Sequence, residues 1–131
     1  MVTHTGGCHC GAVRWRFTAP PHLTACACDC SICRVRGTPF VIVPQAAFTL
    51  EAGDDALTLY QFGTMAAKHL FCSTCGVTSF YRPRSNPDCV SVLLPAIDAG
   101  TVDGVDHTTF HGTEWEASYA KGGAPKPNGG G

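Results

Sequence analysis

The cysteines are the residues of this sequence with the clearest chemistry. The chain has nine cysteines in 131 residues, and eight of them fall in three short segments, residues 8–10, 26–33 and 72–75. A disulfide within such a segment would close a very small ring and constrain the chain little, so the spacing favours metal-binding thiolates. A disulfide framework, typical of small secreted chains, is the alternative.

Two of these segments predict a closed four-thiol site. Its ligands are Cys8, Cys10, Cys72 and Cys75. The C-x-x-C turn at 72–75 places two sulfurs about 2.3 Å from one ion, and the C-x-C pair at 8–10 supplies the other two thiolates of a tetrahedral structural zinc. A glycine follows each pair, Gly11 and Gly76, and it can take a positive φ that turns amide N–H groups toward the sulfurs. The site would join the first strand to the middle of the chain.

The third segment predicts an open site formed by Cys28, Cys30 and Cys33. Three protein ligands and one vacant position are typical of catalytic zinc. Three thiolates outweigh the charge of Zn²⁺, so such a site favours holding a thiol as its thiolate over ionising water. Cys26 either fills the fourth position, which would make the site structural, or packs in the core, and the core is favoured. Cys89 is also predicted to be a core residue.

The elements that position these thiols are predicted to be mainly strands. Alternating or continuous apolar runs occupy residues 12–17, 23–28, 40–43, 56–62, 67–71, 78–82, 89–94 and 108–111. One helical turn is predicted at 31–36, and a short C-terminal helix at 113–120 begins at the N-cap residue Thr113. We expect one domain over residues 1–121 and a disordered Gly/Pro-rich tail over 122–131.

Composition argues against two classes of partner. Nine Lys and Arg stand against ten Asp and Glu, without a basic run, so nucleic-acid binding is not expected. No apolar run is long enough to cross a membrane. Residues 1–7 lack the pattern of a signal peptide, and we therefore expect a cytoplasmic protein.

Three motifs together resemble the glutathione-dependent formaldehyde-activating enzyme family. They are GGCHCGAVR at 6–14, CDCSICR at 28–34 and FCSTCG at 71–76. Residues 71–87 resemble most closely the branch that contains centromere protein V, and the resemblance extends from about residue 6 to residue 119. Asp29 departs from the pattern, since many members carry His or Asn there.

The resemblance implies a tent-like fold of stacked antiparallel sheets. It implies structural zinc at the four-thiol site and catalytic zinc at the three-thiol site. The founding activity joins formaldehyde to glutathione, and the reverse is a carbon–sulfur lyase reaction. The implied partners are therefore a small thiol and an aldehyde. A homodimer is compatible with a small β domain, although the sequence carries no interface pattern.

Other residues and other functions stay open. Arg34 and Arg36 are candidates for binding a substrate carboxylate, such as those of glutathione, with a solvated surface pair as the alternative. His69 is expected on a strand surface rather than as a proton carrier. The alternatives to an enzyme are a non-catalytic, zinc-stabilised protein-binding module and a thiol redox sensor.

Overall fold

The computed structural model describes residues 1–37, 39–110 and 127–128, and these contain ten strands and one short α-helix. The strands are β1 (Val2–Gly7), β2 (Arg14–Ala19), β3 (His22–Cys28), β4 (Phe40–Pro44), β5 (Phe48–Ala52), β6 (Leu57–Tyr60), β7 (Lys68–Cys72), β8 (Phe80–Arg82), β9 (Cys89–Leu93) and β10 (Gly104–Phe110). The helix is α1 (Ser31–Arg36), as predicted. Single 3₁₀ turns occupy Gln45–Ala47, Asp54–Ala56 and Leu94–Ala96.

The strands form two stacked sheets. One has the order β1-β2-β5, and the other has the order β10-β3-β4-β9-β8-β7-β6. The mainly β prediction is thus confirmed. Pairing is antiparallel except between β10 and β3, which run parallel, as the long connection between them allows. Within the described ranges, no helix is long and apolar enough to span a membrane.

The main core lies between the two sheets. In β2, Trp15, Phe17 and Ala19 are at most 1% exposed and alternate with half-buried or exposed residues. They pack on one face of the larger sheet, which contributes Val41, Val43, Val90 and Val92. The Trp15 Nε1–H donates to the Ser79 hydroxyl at 3.0 Å, so the one polar atom of this indole is satisfied.

A second cluster covers the opposite face of β4 and β9. Phe40 and Ile42 alternate with the valines of β4 and join this cluster, which also contains buried Tyr81. Cys26 and Cys89 lie here as well, which confirms their prediction as core residues. Because β4 and β9 are covered on both faces, their sequences are continuously apolar apart from one serine.

Two strands were not predicted from the sequence, β1 and β5. In β1, the glycines at the end of the strand lower its local preference for extended structure. The fold nevertheless needs one of them, because a Cβ on Gly6 would overlap the Ala96 carbonyl oxygen and the Trp15 ring. Pairing with β2 and packing against that indole therefore decide the conformation of β1.

The predicted helix at 113–120 and most of the predicted tail lie outside the described residues. Strands β3 and β4 pair only at Cys26 and Phe40, and beyond this pair they separate. Asn128, within the predicted tail, lies against the two strands where they are apart. Its side-chain oxygen accepts from the Thr24 N–H at 2.7 Å, and its amide donates to the Ile42 carbonyl at 3.1 Å. Asn128 thus supplies the hydrogen-bond partners that Thr24 of β3 and Ile42 of β4 do not find in each other.

Candidate metal centres

The four-thiol centre joins two turns from distant parts of the chain. Cys8 and Cys10 follow β1, Cys72 ends β7, and Cys75 lies three residues later. All four sulfurs lie within 4.8 Å of one another. The Cys10 sulfur is 3.6 Å from the sulfurs of both Cys8 and Cys72. Tetrahedral zinc with bonds of about 2.3 Å would separate its sulfurs by about 3.8 Å, so this spacing fits the ion.

The backbones of the two turns have matching geometry. The Cys8 N–H donates to the Val13 carbonyl at 3.1 Å, and the Cys72 N–H donates to the Val77 carbonyl at 3.0 Å. Each turn contains a glycine at positive φ, namely Gly11 at 85° and Gly76 at 76°. Nothing lies within 4 Å of where their Cβ atoms would be, so these glycines are required by conformation and not by space.

Backbone N–H groups stabilise thiolates in the four-thiol centre. The N–H groups of Cys75 and Thr74 point at the Cys72 sulfur and lower the pKa of that thiol. The N–H groups of Cys10 and Val77 lower the pKa of Cys75 to about 6. Thiolates are the form that binds metal, so these hydrogen bonds favour the ligand state of Cys72 and Cys75.

The three-thiol centre lies where β3 passes into α1. Cys28 ends the strand, Cys30 directly precedes the helix, and Cys33 is in its first turn. Their sulfurs lie within 4.8 Å of one another, so the structure brings together the three thiols that the sequence grouped. The Cys30 N–H points at the Cys28 sulfur at 3.5 Å.

Cys26 does not belong to this group. Its side chain is 5% exposed and packs in the second core cluster, and its thiol donates to the Ala27 carbonyl at 3.8 Å. Among the described residues, no fourth Cys, His, Asp or Glu joins the three sulfurs. Three protein ligands are the donor set of an open zinc site, in which a water or a substrate takes the fourth position.

The three thiols also share protons unequally. Hydrogen bonds from Cys28 and Cys33 lower the pKa of Cys30 to about 2, whereas the hydrogen bond with Cys30 raises the pKa of Cys28. These hydrogen bonds favour Cys30 as the thiolate of the cluster. A thiolate with two neighbouring thiols is a soft donor set, which suits zinc.

The three thiols lie on the wall of a cleft of about 480 Å³, within the range typical of small-molecule sites. Its other lining residues are Ser31, Ile32, Arg34, Phe40, Phe62, Gly63, Thr64, Ala67, His69, Tyr81, Pro83, Arg84, Ser85 and Phe110. The apolar side chains among them are Ile32, Phe40, Phe62, Ala67, Pro83 and Phe110. The cleft thus combines a thiol cluster and two guanidinium groups with apolar walls.

The two arginines predicted to bind substrate have different environments. Arg34 is exposed and lines the cleft. The Arg36 guanidinium instead lies 4.0 Å above the centre of the Tyr81 ring, and it donates to His69 Nδ1 at 3.0 Å and to the Cys33 sulfur at 3.6 Å. These contacts show that Arg36 is held within the protein beside the thiol cluster.

The prediction that His69 is a strand-surface residue is wrong. Its side chain is 5% exposed and lines the cleft. Residues of β7 alternate between the two faces of the sheet, and Leu70 and Cys72 belong to the core between the sheets. His69 consequently faces the other side, where Tyr81 of the neighbouring strand packs against it.

Phe62, Tyr81 and Arg84 are further cleft residues that the sequence analysis did not assign to a site. They come from the segments around β6 and β8, far in sequence from the three-thiol segment. The stacking partners Tyr60 and Phe62 share an alternating segment, which was the one available indication of an aromatic surface. Only the pairing of β6, β7 and β8 shows that this surface lies beside the thiols.

Together, the fold and the two centres define a class of protein: stacked β-sheets that carry one closed and one open cysteine site suited to zinc. Comparisons with known proteins identify the family. The family model described as glutathione-dependent formaldehyde-activating enzyme (GFA) matches residues 3–116, and the chain belongs to this family. Its closer placement beside centromere protein V stays a prediction.

Two relatives support the assignment. A Halomonas elongata protein whose name carries the same family description is 30% identical over 102 residues, which are 72% of this chain. The aligned part is 65% of that protein, so the match does not span the relative's full length. The crystal structure of a Rhodobacter sphaeroides protein is 36% identical, with a TM-score of 0.67, and the match covers 79% of this chain and 99% of that one.

Proposed function

We propose that this protein is a zinc-dependent carbon–sulfur lyase that adds a glutathione-like thiol to an aldehyde, such as formaldehyde, and reverses that addition. The observation that carries the proposal is the convergence of Cys28, Cys30 and Cys33 on the wall of a cleft, without a fourth protein ligand among the described residues. The family name and the family description of the Halomonas protein agree with this substrate pair.

The donor set decides which chemistry the centre suits. When bound by the three thiolates, zinc supplies a position at which a substrate thiol is held as its nucleophilic thiolate. Three anionic ligands make the site a poor one for ionising water, so sulfur chemistry is favoured over hydrolysis. The four-thiol centre has no position for a substrate and serves the fold.

The remaining cleft residues bind and orient the two substrates. Arg34 and Arg84 place positive charge at the cleft, and a glutathione-like tripeptide has two carboxylates that such groups can bind. Phe40 and Phe62 contribute apolar walls that exclude water from the reacting carbon. The reaction forms a bond between sulfur and the carbonyl carbon, and the proton lost from the thiol is balanced by one gained at the oxygen.

Exchange NMR tests the activity directly. Glutathione and ¹³C-formaldehyde form the adduct slowly without a catalyst, so line broadening or exchange peaks between free and bound formaldehyde measure the added rate. We expect the zinc-loaded protein to accelerate this exchange and Cys28→Ala to lose the acceleration. A zinc-loaded wild-type protein that leaves the exchange at its uncatalysed rate would refute the proposal.

The same experiment separates the alternatives. A protein-binding module would retain both zinc ions without accelerating exchange. A redox sensor would release one zinc on mild oxidation and regain it with reductant, because Cys28, Cys30 and Cys33 are close enough to form disulfides after small movements. A cytoplasmic location belongs to the proposal, since reduced thiolate sites persist in reducing compartments. Homodimerisation stays an expectation.

A further inference from the structure

Among the described residues, His69 is the histidine that lines the cleft. It lies in the middle of β7, directly opposite Tyr60 of β6 and Tyr81 of β8. Its ring stacks on Phe62 with centroids 5.6 Å apart and an interplanar angle of 19°. The Tyr81 centroid lies 5.3 Å away. Aromatic neighbours on several sides therefore fix the plane and direction of this imidazole.

The contact with Arg36 determines which ring nitrogen carries the proton. A guanidinium has only donors and does not lose its proton in proteins. Because Arg36 Nη1 lies 3.0 Å from His69 Nδ1 in donor geometry, Nδ1 must accept and cannot carry hydrogen. His69 is therefore the neutral tautomer with its hydrogen on Nε2. Burial and the positive charge of Arg36 also lower the pKa of His69, to about 4, in agreement with a neutral ring.

The other ring nitrogen is available to a ligand. Nε2 has no hydrogen-bond partner in the described part of the chain, and it is not among the buried polar atoms that lack one, so it is not fully enclosed by the protein. The ring that carries it lines the cleft of the three-thiol centre. The same guanidinium that contacts Nδ1 also donates to the Cys33 sulfur at 3.6 Å. One side chain thus connects the thiol cluster to the histidine and sets their relative position.

We propose that His69 is a catalytic residue whose Nε2–H donates a hydrogen bond to the aldehyde oxygen, and that Arg36 is the positioning residue that selects this tautomer. The inference rests on the proposed function. As the substrate sulfur bonds to the carbonyl carbon, the π electrons of the C=O bond move to oxygen, where the Nε2–H stabilises the growing charge. Water then gives a proton to this oxygen, which becomes the hydroxyl group of the adduct. The proton that the thiol had released to solvent replaces the one taken from water.

Kinetics of three variants test this role. Removing one hydrogen bond donor to a developing oxyanion costs roughly 100-fold in kcat, and we expect this loss in His69→Leu with the KM for the thiol changed less than about twofold. The amide nitrogen of His69→Gln can occupy a position close to that of Nε2, so this variant should recover at least about tenfold over His69→Leu. Exposed His107 on β10 provides the control, and His107→Gln should keep wild-type kcat.

A tautomer measurement does not depend on activity. Two-bond ¹H–¹⁵N correlation spectra of the zinc-loaded protein distinguish Nε2–H, Nδ1–H and imidazolium, and the spectrum of His69→Gln assigns the signal by its loss. We expect Nε2–H at neutral pH, and loss of this strict preference in Arg36→Met. All zinc-loaded variants should contain two zinc ions per chain, which separates an effect on the histidine from loss of metal.

The outcomes distinguish failure of this role from failure of the proposed function. If the wild type accelerates exchange and His69→Leu does so equally well, His69 has no catalytic role and the proposed function stands. If the spectra show Nδ1–H or imidazolium in the wild type, the role assigned to Arg36 is wrong. If the wild type is inactive while fully loaded with zinc, the proposed function and the catalytic role fall together.

Discussion

The two cysteine centres belong to opposite faces of the larger sheet. Cys8 and Cys72 are part of the core between the sheets, whereas Cys33 belongs to the cluster on the other face. Residues 62 positions apart in the chain meet in the first centre, at Cys10 and Cys72. In the second centre, the ligands among the described residues all come from the segment 28–33, which contains one strand end and the start of a helix.

The ligands of the first centre are far apart in the chain and those of the second are close together, and this difference suits the two centres to different roles. A metal that joins remote segments removes much conformational freedom from the unfolded chain, so its binding free energy contributes directly to folding. A metal held by one local segment contributes less, because the strand and helix are already positioned by packing. The closed centre is therefore suited to stability, and the open centre to exchange of ligands with the cleft.

The largest expected effect is loss of the folded state when the closed centre is broken. Structural zinc contributes about 10–16 kcal/mol in small zinc domains, which equals or exceeds the usual stability of a domain. We expect Cys72→Ala to show no cooperative thermal transition by near-UV circular dichroism. A cooperative transition within about 5 °C of the wild type would contradict the structural role.

The open centre should tolerate the matching change. Cys28→Ala is expected to bind one zinc per chain instead of two, to lose activity, and to melt within about 5 °C of the wild type, because its ligands connect no distant segments. Metal analysis and calorimetry on the same sample measure both quantities. Cys26→Ala is the control, since Cys26 lies in the core and this variant should keep two zinc ions. Loss of a zinc from that control would mean a fourth protein ligand.

The histidine beside the open centre should make stability depend on pH. The folded-state pKa of His69 is lowered from 6.5 to about 4, so the unfolded chain binds one more proton between these pH values. The associated stability is present above pH 6.5 and is lost as the pH falls toward 4, on the order of 2 kcal/mol for this partly shielded group.

Urea unfolding of the wild type and His69→Gln at pH 7.5 and pH 5 measures this contribution. The wild type should lose more stability than the variant over this interval, because glutamine does not titrate. Zinc content must be determined at both pH values, since acid also releases metal from the thiolates of both proteins. An equal loss in the two proteins would show that His69 is not shielded from protonation.

The smallest expected effect concerns substrate binding at the cleft. Arg34→Ala should raise the KM for glutathione about fivefold with kcat unchanged, because an exposed guanidinium–carboxylate contact contributes about 1 kcal/mol. An uncharged thiol, such as 2-mercaptoethanol, should show no change in KM. Arg16→Ala, on the distant three-stranded sheet, is the matched control. A similar KM increase with both thiols would mean that Arg34 does not bind a carboxylate.

The sequence by itself determined the parts of this protein that depend on local spacing. The cysteine pairs, the glycines at positive φ, the helix from Ser31 to Arg36 and the three-thiol group are all encoded within a few residues. Strand alternation likewise gave eight of the ten strands, although not their ends. In each case, the chemistry or geometry arises between near neighbours in the chain, so composition and spacing were sufficient.

Only the tertiary structure decided which face each strand residue occupies and which segments meet. β1 becomes a strand because β2 and the Trp15 ring lie against it, and His69 becomes a cleft residue because β6 and β8 flank β7. Arg36 looked equivalent to Arg34 in the sequence, yet its contacts with Tyr81 and His69 direct it inward. These environments are created by pairing between residues far apart in the chain, and the alternation within one strand does not specify which strands become its neighbours.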